Sequence, residues 1–518
     1  MSRLMLLSFS FLFFVGCQLK KDGSKELVRP NIIFIMADDH AEKAISCYNK
    51  TLIQTPNIDR IANEGIRFNN GFVTNSICAP SRAVLLTGKY SHLNGLRDNR
   101  DQFDGAQITF PKLLQQAGYY TAMIGKWHLK TKPTGFDYWD VLVGQGDYYN
   151  PIMVRMGDTL NHTGYTTDLI TDFAINSLEN RDSSKPFCLL YHHKAPHRNW
   201  MPNAEHFDLF NEDLPLPKTF YDDYQTRSAA AKEQDMRIDD MYLSLDMKLL
   251  PEDYDIETGT GGNKTFDPEK AWMRNYSNLT TEQKMAWDAH YNPIRQDFRE
   301  QNLSGKELSE WKYQRYMKDY LRCVKSVDDN IGRLLDYLDE NGLAENTLVV
   351  YTSDQGFYLG EHGWYDKRFM YEESLSMPLV MRLPNRIASR QVSEEMVLNL
   401  DFAPTILEYA GVEIPDEMQG RSLKPVLEQK IPKDWRRTMY YHYYEYPHGW
   451  HDVKQHYGVR SKRFKLIHFY NDIDAWELYD LKNDPNEIHN LIDSPSHQTA
   501  IDDLKQELVR LRTLYKDI

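Results

Sequence analysis

The chain has 518 residues, 41% of them hydrophobic and 26% charged, enough for one large domain with a smaller companion and an ordinary buried core. Its formal net charge of −14 at pH 7 excludes a general nucleic-acid binder, because such proteins carry basic stripes that neutralise phosphates. An anionic substrate must therefore be met by locally placed lysine, arginine or metal, against the field of the whole molecule.

Residues 1–16 hold one basic side chain, Arg3, and then an apolar run over 4–15, shorter than the roughly 20 residues a membrane span needs. The run reads as an export signal. It ends Phe14-Val15-Gly16-Cys17, which resembles the bacterial lipoprotein cleavage box, although Phe14 is bulkier than the usual leucine. Cleavage there would leave Cys17 to be lipidated, so the expectation is a lipid-anchored protein of the periplasm or outer membrane. An ordinary secretory peptide with an incidental cysteine is the alternative. The other cysteines, Cys47, Cys78, Cys188 and Cys323, are scattered without a CxxC pair, which points to neither a zinc knuckle nor a disulfide framework.

From about residue 30 strand-like and helical runs alternate. Strands are expected at 31–36, 121–124, 186–192, 347–352 and 378–383, with helices over 56–64 and after Cys78, which is the grammar of an α/β domain. Each strand ends in polar residues, and ligands of open α/β sheets bind beyond the carboxyl ends of strands, so these tails should share one crevice. Residues 203–309 are rich in charge, aromatics and methionine; they read as an insertion of helices and loops that walls a pocket, with a loop at 259–262. After Pro432 come tyrosine-rich strands at 439–446, 463–469 and 476–481 and an amphipathic helix over 499–515, an antiparallel α+β unit. The expected organisation is a signal segment at 1–17, a catalytic domain at 28–430 and a C-terminal subdomain at 431–518.

Two features carry chemistry. Cys78-Ala79-Pro80-Ser81-Arg82 opens a helix, placing a cysteine and an arginine one turn apart, suited to an electrophile or nucleophile facing an anion. Asp38-Asp39 follows the first strand, and alone would be an ordinary turn. With Asp354-Gln355 closing another strand, four oxygen donors from distant sequence can meet at one edge, the ligand set of calcium or magnesium. Clustered carboxylates raise one another's pKa unless a cation neutralises them, and no soft ligands favour zinc or copper.

The CAPSR run followed by LLTGKY, with Gly125-Lys126-Trp127-His128, Ala195-Pro196-His197 and Ser353-Asp354-Gln355-Gly356, resembles the type I sulfatases of the alkaline phosphatase superfamily, from about residue 30 to the C-terminus. The resemblance implies an alkaline-phosphatase-like α/β/α sandwich with a mostly parallel sheet and a smaller antiparallel C-terminal subdomain. It implies that a maturating enzyme oxidises Cys78 to formylglycine, whose hydrate attacks sulfur. A divalent ion, calcium in preference to magnesium, would be held by Asp38, Asp39, Asp354 and Gln355, the last standing where many relatives have asparagine. Arg82 would steady the diol, and Lys126 and Lys367 would bind the sulfate oxygens. His197 would protonate the leaving sugar oxygen and His128 would accept a proton from the second hydroxyl.

Residues 91–99, 134–151 and 194–202 are similar to bacterial N-acetylglucosamine-6-O-sulfatases, which act on mucin, keratan or heparan glycans. This implies exo-acting removal of a 6-O-sulfate from a sulfated glycan. Sugar contacts are expected from Arg97, Asp98 and His456; the many tyrosines of 440–446 are expected to fill a sheet core. The alternatives are a sulfatase for another sugar position, a phosphodiesterase or phosphonate hydrolase of the same superfamily, and a non-catalytic glycan-binding lipoprotein whose Cys78 is never oxidised.

Overall fold

The computed structural model describes residues 29–260 and 265–518; the expected signal segment and Cys17 lie outside the described residues. A ten-stranded sheet forms the centre. Its strands in chain order are β1 Asn31–Ala37, β2 Ile66–Phe68, β3 Tyr120–Gly125, β4 Tyr138–Leu142, β5 Ile152–Arg155, β6 Asp158–Asn161, β7 Phe187–His192, β8 Thr347–Ser353, β9 Leu379–Arg382 and β10 Gln391–Ser393. Across the sheet they lie in the order β10-β2-β9-β8-β1-β7-β3-β4-β5-β6. The inner run β8-β1-β7-β3-β4 is parallel throughout, while β9 and the β5–β6 hairpin run antiparallel outside it.

The sequence of β1, NIIFIMA, is apolar without alternation because both faces are covered. Ile33 and Ile35 face a cluster that includes Val324, Val327 and Ile331 of the helix Gly305–Glu340. Ile32, Phe34 and Met36 face the opposite cluster, with Ala83 of the helix Cys78–Thr87 and Ile406 of the helix Phe402–Ala410. The result is the expected three-layer α/β/α sandwich. Sequence reading did not anticipate the length of the helix Gly305–Glu340, 36 residues whose apolar stripe is interrupted by charges buried in ion pairs. Among the described residues, no helix is long and apolar enough to cross a membrane.

A second sheet is four-stranded and antiparallel: β11 Thr438–Tyr443, β12 His456–Ser461, β13 Phe464–Phe469 and β14 Ala475–Asp480. The helix Gln498–Tyr515 buries Ile501, Leu504, Leu508 and Leu511, the i, i+3, i+7, i+10 stripe of an amphipathic helix. Two expectations needed correction here. β11 stops at Tyr443, short of the anticipated 446, where the chain turns towards Pro447, which has no N–H for a ladder. β12 was not anticipated, because HYGVRS has no apolar run and a glycine inside it. That glycine is required: a Cβ at Gly458 would stand 2.4 Å from the Leu466 carbonyl oxygen.

Candidate active site

Four parallel strands deliver their tails to one edge of the sheet: β1 ends at Asp38 and Asp39, β8 at Asp354 and Gln355, β3 at Lys126, and β7 leads to His197. Main-chain hydrogen bonds continue past the strands and lock these tails together, from Asp354 N–H to the Ala37 oxygen at 3.3 Å, Lys126 N–H to the His192 oxygen at 2.9 Å and His193 N–H to the Met36 oxygen at 2.8 Å. The helix Cys78–Thr87 starts beside them. Pro80 lies in its first turn, where no N–H is missed, and Gly88 closes it at φ 61°, the left-handed C-terminal position glycine favours. Ser81 donates to the Asp354 carbonyl oxygen at 2.5 Å and accepts from Asn399 at 3.1 Å, tying the helix start to the end of β8.

The carboxylates and cations interlock. Arg82 is 2% exposed; its Nε and one terminal nitrogen donate to Asp354 Oδ2 at 3.1 and 2.9 Å, and the other donates to the Lys126 carbonyl at 2.7 Å. Lys126 donates to Asp38, and Lys367 donates to both oxygens of Asp39, at 2.7 and 2.6 Å. The backbone of Asp39, at φ 65°, lets its N–H reach Asp354 Oδ1 at 3.1 Å. Gln355 donates to Asp39 and lies with Nε2 4.0 Å from the Cys78 sulfur. Ligand atoms of Asp38, Asp39 and Asp354 lie within 4.8 Å of one another, as do those of Asp38, Cys78 and His197.

The fit to a divalent cation rests on two orphaned acceptors. Asp38 Oδ1 and Gln355 Oε1 are buried without a hydrogen-bond partner among the described residues, beside two further carboxylates. Oxygen-only donors, three of them anionic, suit a hard ion.

The electrostatics agree with a site built around an ion. Burial pushes Asp39 up to about 7, with Asp354 and Asp366 adding to the shift and Lys367 opposing it. Burial also raises the Cys78 thiol to about 12. His197 is held well below the usual histidine range, first by burial and then by Lys126, Lys367 and Lys194. His128 is lowered in the same way, by burial and then Lys126, Arg82 and Lys367, and its buried Nδ1 has no hydrogen-bond partner among the described residues.

Cys78, Asp39, His197 and Lys367 line a cavity of about 470 Å³. Phe266 and Arg274 of the expected insertion wall it, as do Glu445 and Trp450 from beyond β11.

Of the expected sugar contacts, His456 is corrected, and Arg97 and Asp98 stand outside the cavity lining. His456 is 0% exposed in the C-terminal core, where Nε2 accepts the Met370 N–H at 3.1 Å and Nδ1 donates to the Lys454 oxygen at 2.8 Å, leaving nothing for a ligand. Arg97 is exposed and stacks on Tyr444 at 5.8 Å, away from the cavity lining. Asp98 binds His448 at 2.7 Å and accepts the Arg100 N–H at 2.7 Å; the residues of this turn that reach the cavity are Asn99 and Arg100. Arg82, expected to steady the diol, is bound to Asp354 and stands behind the cavity lining. Sequence reading missed Lys194. It is 4% exposed and lines the cavity, its ammonium 4.8 Å from the Tyr148 ring centre and without an ion pair among the described residues. Burial lowers it to about 8. No periodicity marks such a residue, because what distinguishes it is the want of a partner.

Comparison with known proteins decides the family. The family model described as Sulfatase matches residues 30–412. The chain belongs to the sulfatase family. It is a hydrolase of sulfate esters, and membership implies in general a formylglycine and a divalent metal. A second model, described as N-sulphoglucosamine sulphohydrolase, C-terminal, matches residues 360–514 of this sulfatase. It is 53% identical over 499 residues to an N-acetylglucosamine-6-O-sulfatase of Bacteroides thetaiotaomicron, covering 95% of this chain and 88% of that one. The human N-acetylglucosamine-6-sulfatase is 26% identical, with 80% and 67% of the two chains covered. A solved complex of a homologue with its substrate D-glucosamine-2-N,6-O-disulfate matches at a TM-score of 0.89 with 52% identity, over 94% of this chain and 98% of that one. A phosphonate monoester hydrolase from Silicibacter pomeroyi matches at 0.68 with 20% identity over 94% and 96%, which shows the shared fold alone.

Proposed function

We propose that this sulfatase removes the 6-O-sulfate of N-acetylglucosamine-type sugars at the ends of glycan chains of mucin, keratan or heparan type. The observation that carries the reading is 53% identity, across 95% of the chain, to an enzyme of that name. The complex of the 52% identical homologue with a 6-O-sulfated glucosamine supports it. The phosphonate hydrolase shares too little sequence to support the rival reading.

In this reading Cys78 is oxidised to formylglycine by a maturating enzyme, and its hydrated aldehyde supplies an oxygen nucleophile for sulfur. Asp38, Asp39, Asp354 and Gln355 would hold calcium, which supplies Lewis acidity beside that nucleophile. The remaining groups act on the ester from the cavity wall or from just behind it. Lys367 and Lys194 set ammonium charges against the sulfate oxygens from the wall, and Lys126 backs them from behind the lining through its bond to Asp38. His197 gives its Nε2 proton to the departing sugar oxygen; burial first, and then three lysines, keep the ring neutral in the free enzyme, and an incoming sulfate offsets the lysine charge and raises its proton affinity. His128, neutral and with Nδ1 unpartnered, is the base for the later proton removal. Export and a lipid anchor at Cys17 complete the reading.

The test is sulfate release from a panel of sulfated monosaccharides, with an aryl phosphate alongside. N-acetylglucosamine 6-sulfate should be the preferred substrate. Preference for another sulfate position would overturn the substrate, and preference for the phosphate would overturn the chemistry.

A further inference from the structure

The imidazole of His197 is held from its far side. Nδ1 donates to the carbonyl oxygen of Arg198 at 2.5 Å, and the His197 carbonyl accepts the Tyr148 hydroxyl at 2.7 Å. With Nδ1–H so engaged, Nε2 is the nitrogen that faces the cavity and Asp39, whose Oδ2 stands 3.8 Å away. The tautomer and the aim of the ring therefore depend on where the Arg198 carbonyl sits.

That carbonyl belongs to a residue that is clamped. The Arg198 guanidinium forks onto Asp246 at 2.8 and 2.6 Å, and Asp246 is fully buried, accepting the Tyr242 N–H at 2.9 Å. Three rings surround the cation, Tyr365 at 5.0 Å, Tyr242 at 5.3 Å and Trp450 at 5.9 Å. A planar fork against a carboxylate, caged by aromatics, fixes both position and rotation, which a lysine in its place would not do. Asp246 and Tyr242 come from the stretch between β7 and the long helix, and Trp450 comes from the loop between β11 and β12. Segments far apart in the chain thus converge on the residue that orients one histidine.

We propose that Arg198 is a positioning residue for the leaving-group acid, its Asp246 fork and aromatic cage holding the carbonyl that sets the tautomer and direction of His197. The inference rests on the role given to His197 in the proposed function. In the step concerned an oxygen of the hydrated aldehyde at position 78 would bond to sulfur as the S–O6 bond breaks, the electron pair of the broken bond stays on O6, and the Nε2 proton of the doubly protonated His197 ring moves to that oxygen. The Nδ1–H bond to Arg198 persists throughout and supports the ring in both protonation states. A stacked, ion-paired arginine that served packing alone would alter stability and leave the chemistry unmoved.

The test uses the mature, calcium-loaded enzyme with N-acetylglucosamine 6-sulfate and the variants Arg198→Met, Arg198→Lys, Asp246→Asn and His197→Ala. Misdirecting an acid by about an ångström costs of order 10- to 100-fold, so Arg198→Met should lower kcat by that factor with KM within about threefold, and Arg198→Lys and Asp246→Asn should fall between. Imidazole ¹⁵N spectra, with the His197 signal identified by its loss in His197→Ala, should change from a single Nδ1–H tautomer to an averaged pattern in Arg198→Met. An unchanged kcat, a rise in KM alone, or a fall in kcat with the tautomer pattern intact would each overturn the inference. If Arg198→Met does not fold, Asp246→Asn, which leaves the guanidinium an acceptor, carries the same comparison. His197→Ala separates the two claims: wild-type turnover there would remove the acid assignment itself, whereas slow turnover in that variant alone would remove only the clamp.

Discussion

Calcium should raise the melting temperature of this sulfatase by a small amount that is calculable in advance. A ligand that binds only the folded chain stabilises it by RT ln(1 + [L]/Kd), about 1.4 kcal/mol for each tenfold rise in concentration above Kd. Unfolding entropy is about 2.1 cal/mol/K per residue, so the whole chain unfolds with roughly 1.1 kcal/mol/K, and each tenfold step should add about 1.3 °C. The concentration at which the rise begins depends on pH. Asp39, raised to about 7 by burial, holds its proton in the ion-free folded chain, whereas an unfolded aspartate releases it near about 3.9. The ion-free protein therefore gains stability from this group as pH falls from 7 towards 4 and loses it as pH rises through 7. A cation needs the carboxylate, so its apparent affinity should rise with pH up to about 7, by at most about tenfold per unit, and then level off. Differential scanning fluorimetry of chelator-treated enzyme, titrated with calcium and in parallel with magnesium at pH 5.5 and 7.5, measures all of this. Asp38→Asn, which leaves Lys126 an acceptor, should move the onset to at least about tenfold higher calcium. A melting temperature indifferent to either ion from micromolar to millimolar, or an onset unmoved in Asp38→Asn, would refute the assignment of these oxygens to a metal.

Cys78→Ala should melt within a degree or so of the parent while losing about 10³-fold or more of turnover, and the peptide bearing residue 78 from active enzyme should weigh about 18 Da less than its thiol form. Lys194→Met removes a buried ammonium without an ion-pair partner; kcat/KM should fall roughly 10- to 100-fold while thermal stability holds or rises. Arg97→Ala should leave KM within about twofold, whereas Arg100→Ala, which removes a cavity-facing cation, should raise it about three- to tenfold; the reverse order would restore the sequence-based assignment.

Most of the catalytic edge was legible in the sequence because short-range patterns carried it. Apolar runs ending in Asp38-Asp39 and Asp354-Gln355 announce parallel strands whose tails must meet, and the Cys78 helix carries its own start and stop residues. The sugar contacts were not legible. His456 was read as a sugar contact because no strand was expected around it; the sheet pairing that buries it depends on β12, which has no hydrophobic signature. Arg97 and Asp98 missed the cavity by two residues, since which side chains of a turn face inward is decided by a contact with His448 some 350 positions away. Lys194 escaped notice for the opposite reason: its environment, set by Tyr148 and the cavity wall, exists only in three dimensions.

The enclosure of Cys78 has a consequence for timing. With 1% of its surface accessible at the floor of the cavity and burial raising its thiol to about 12, the finished fold offers a macromolecular catalyst little surface and little thiolate to act on. In the proposed reading, conversion of this side chain belongs to the interval before the helix that carries it docks against the sheet. The yield of competent enzyme is then a race between collapse of the chain and its modification, and a variant that folds faster could emerge intact, stable and inert.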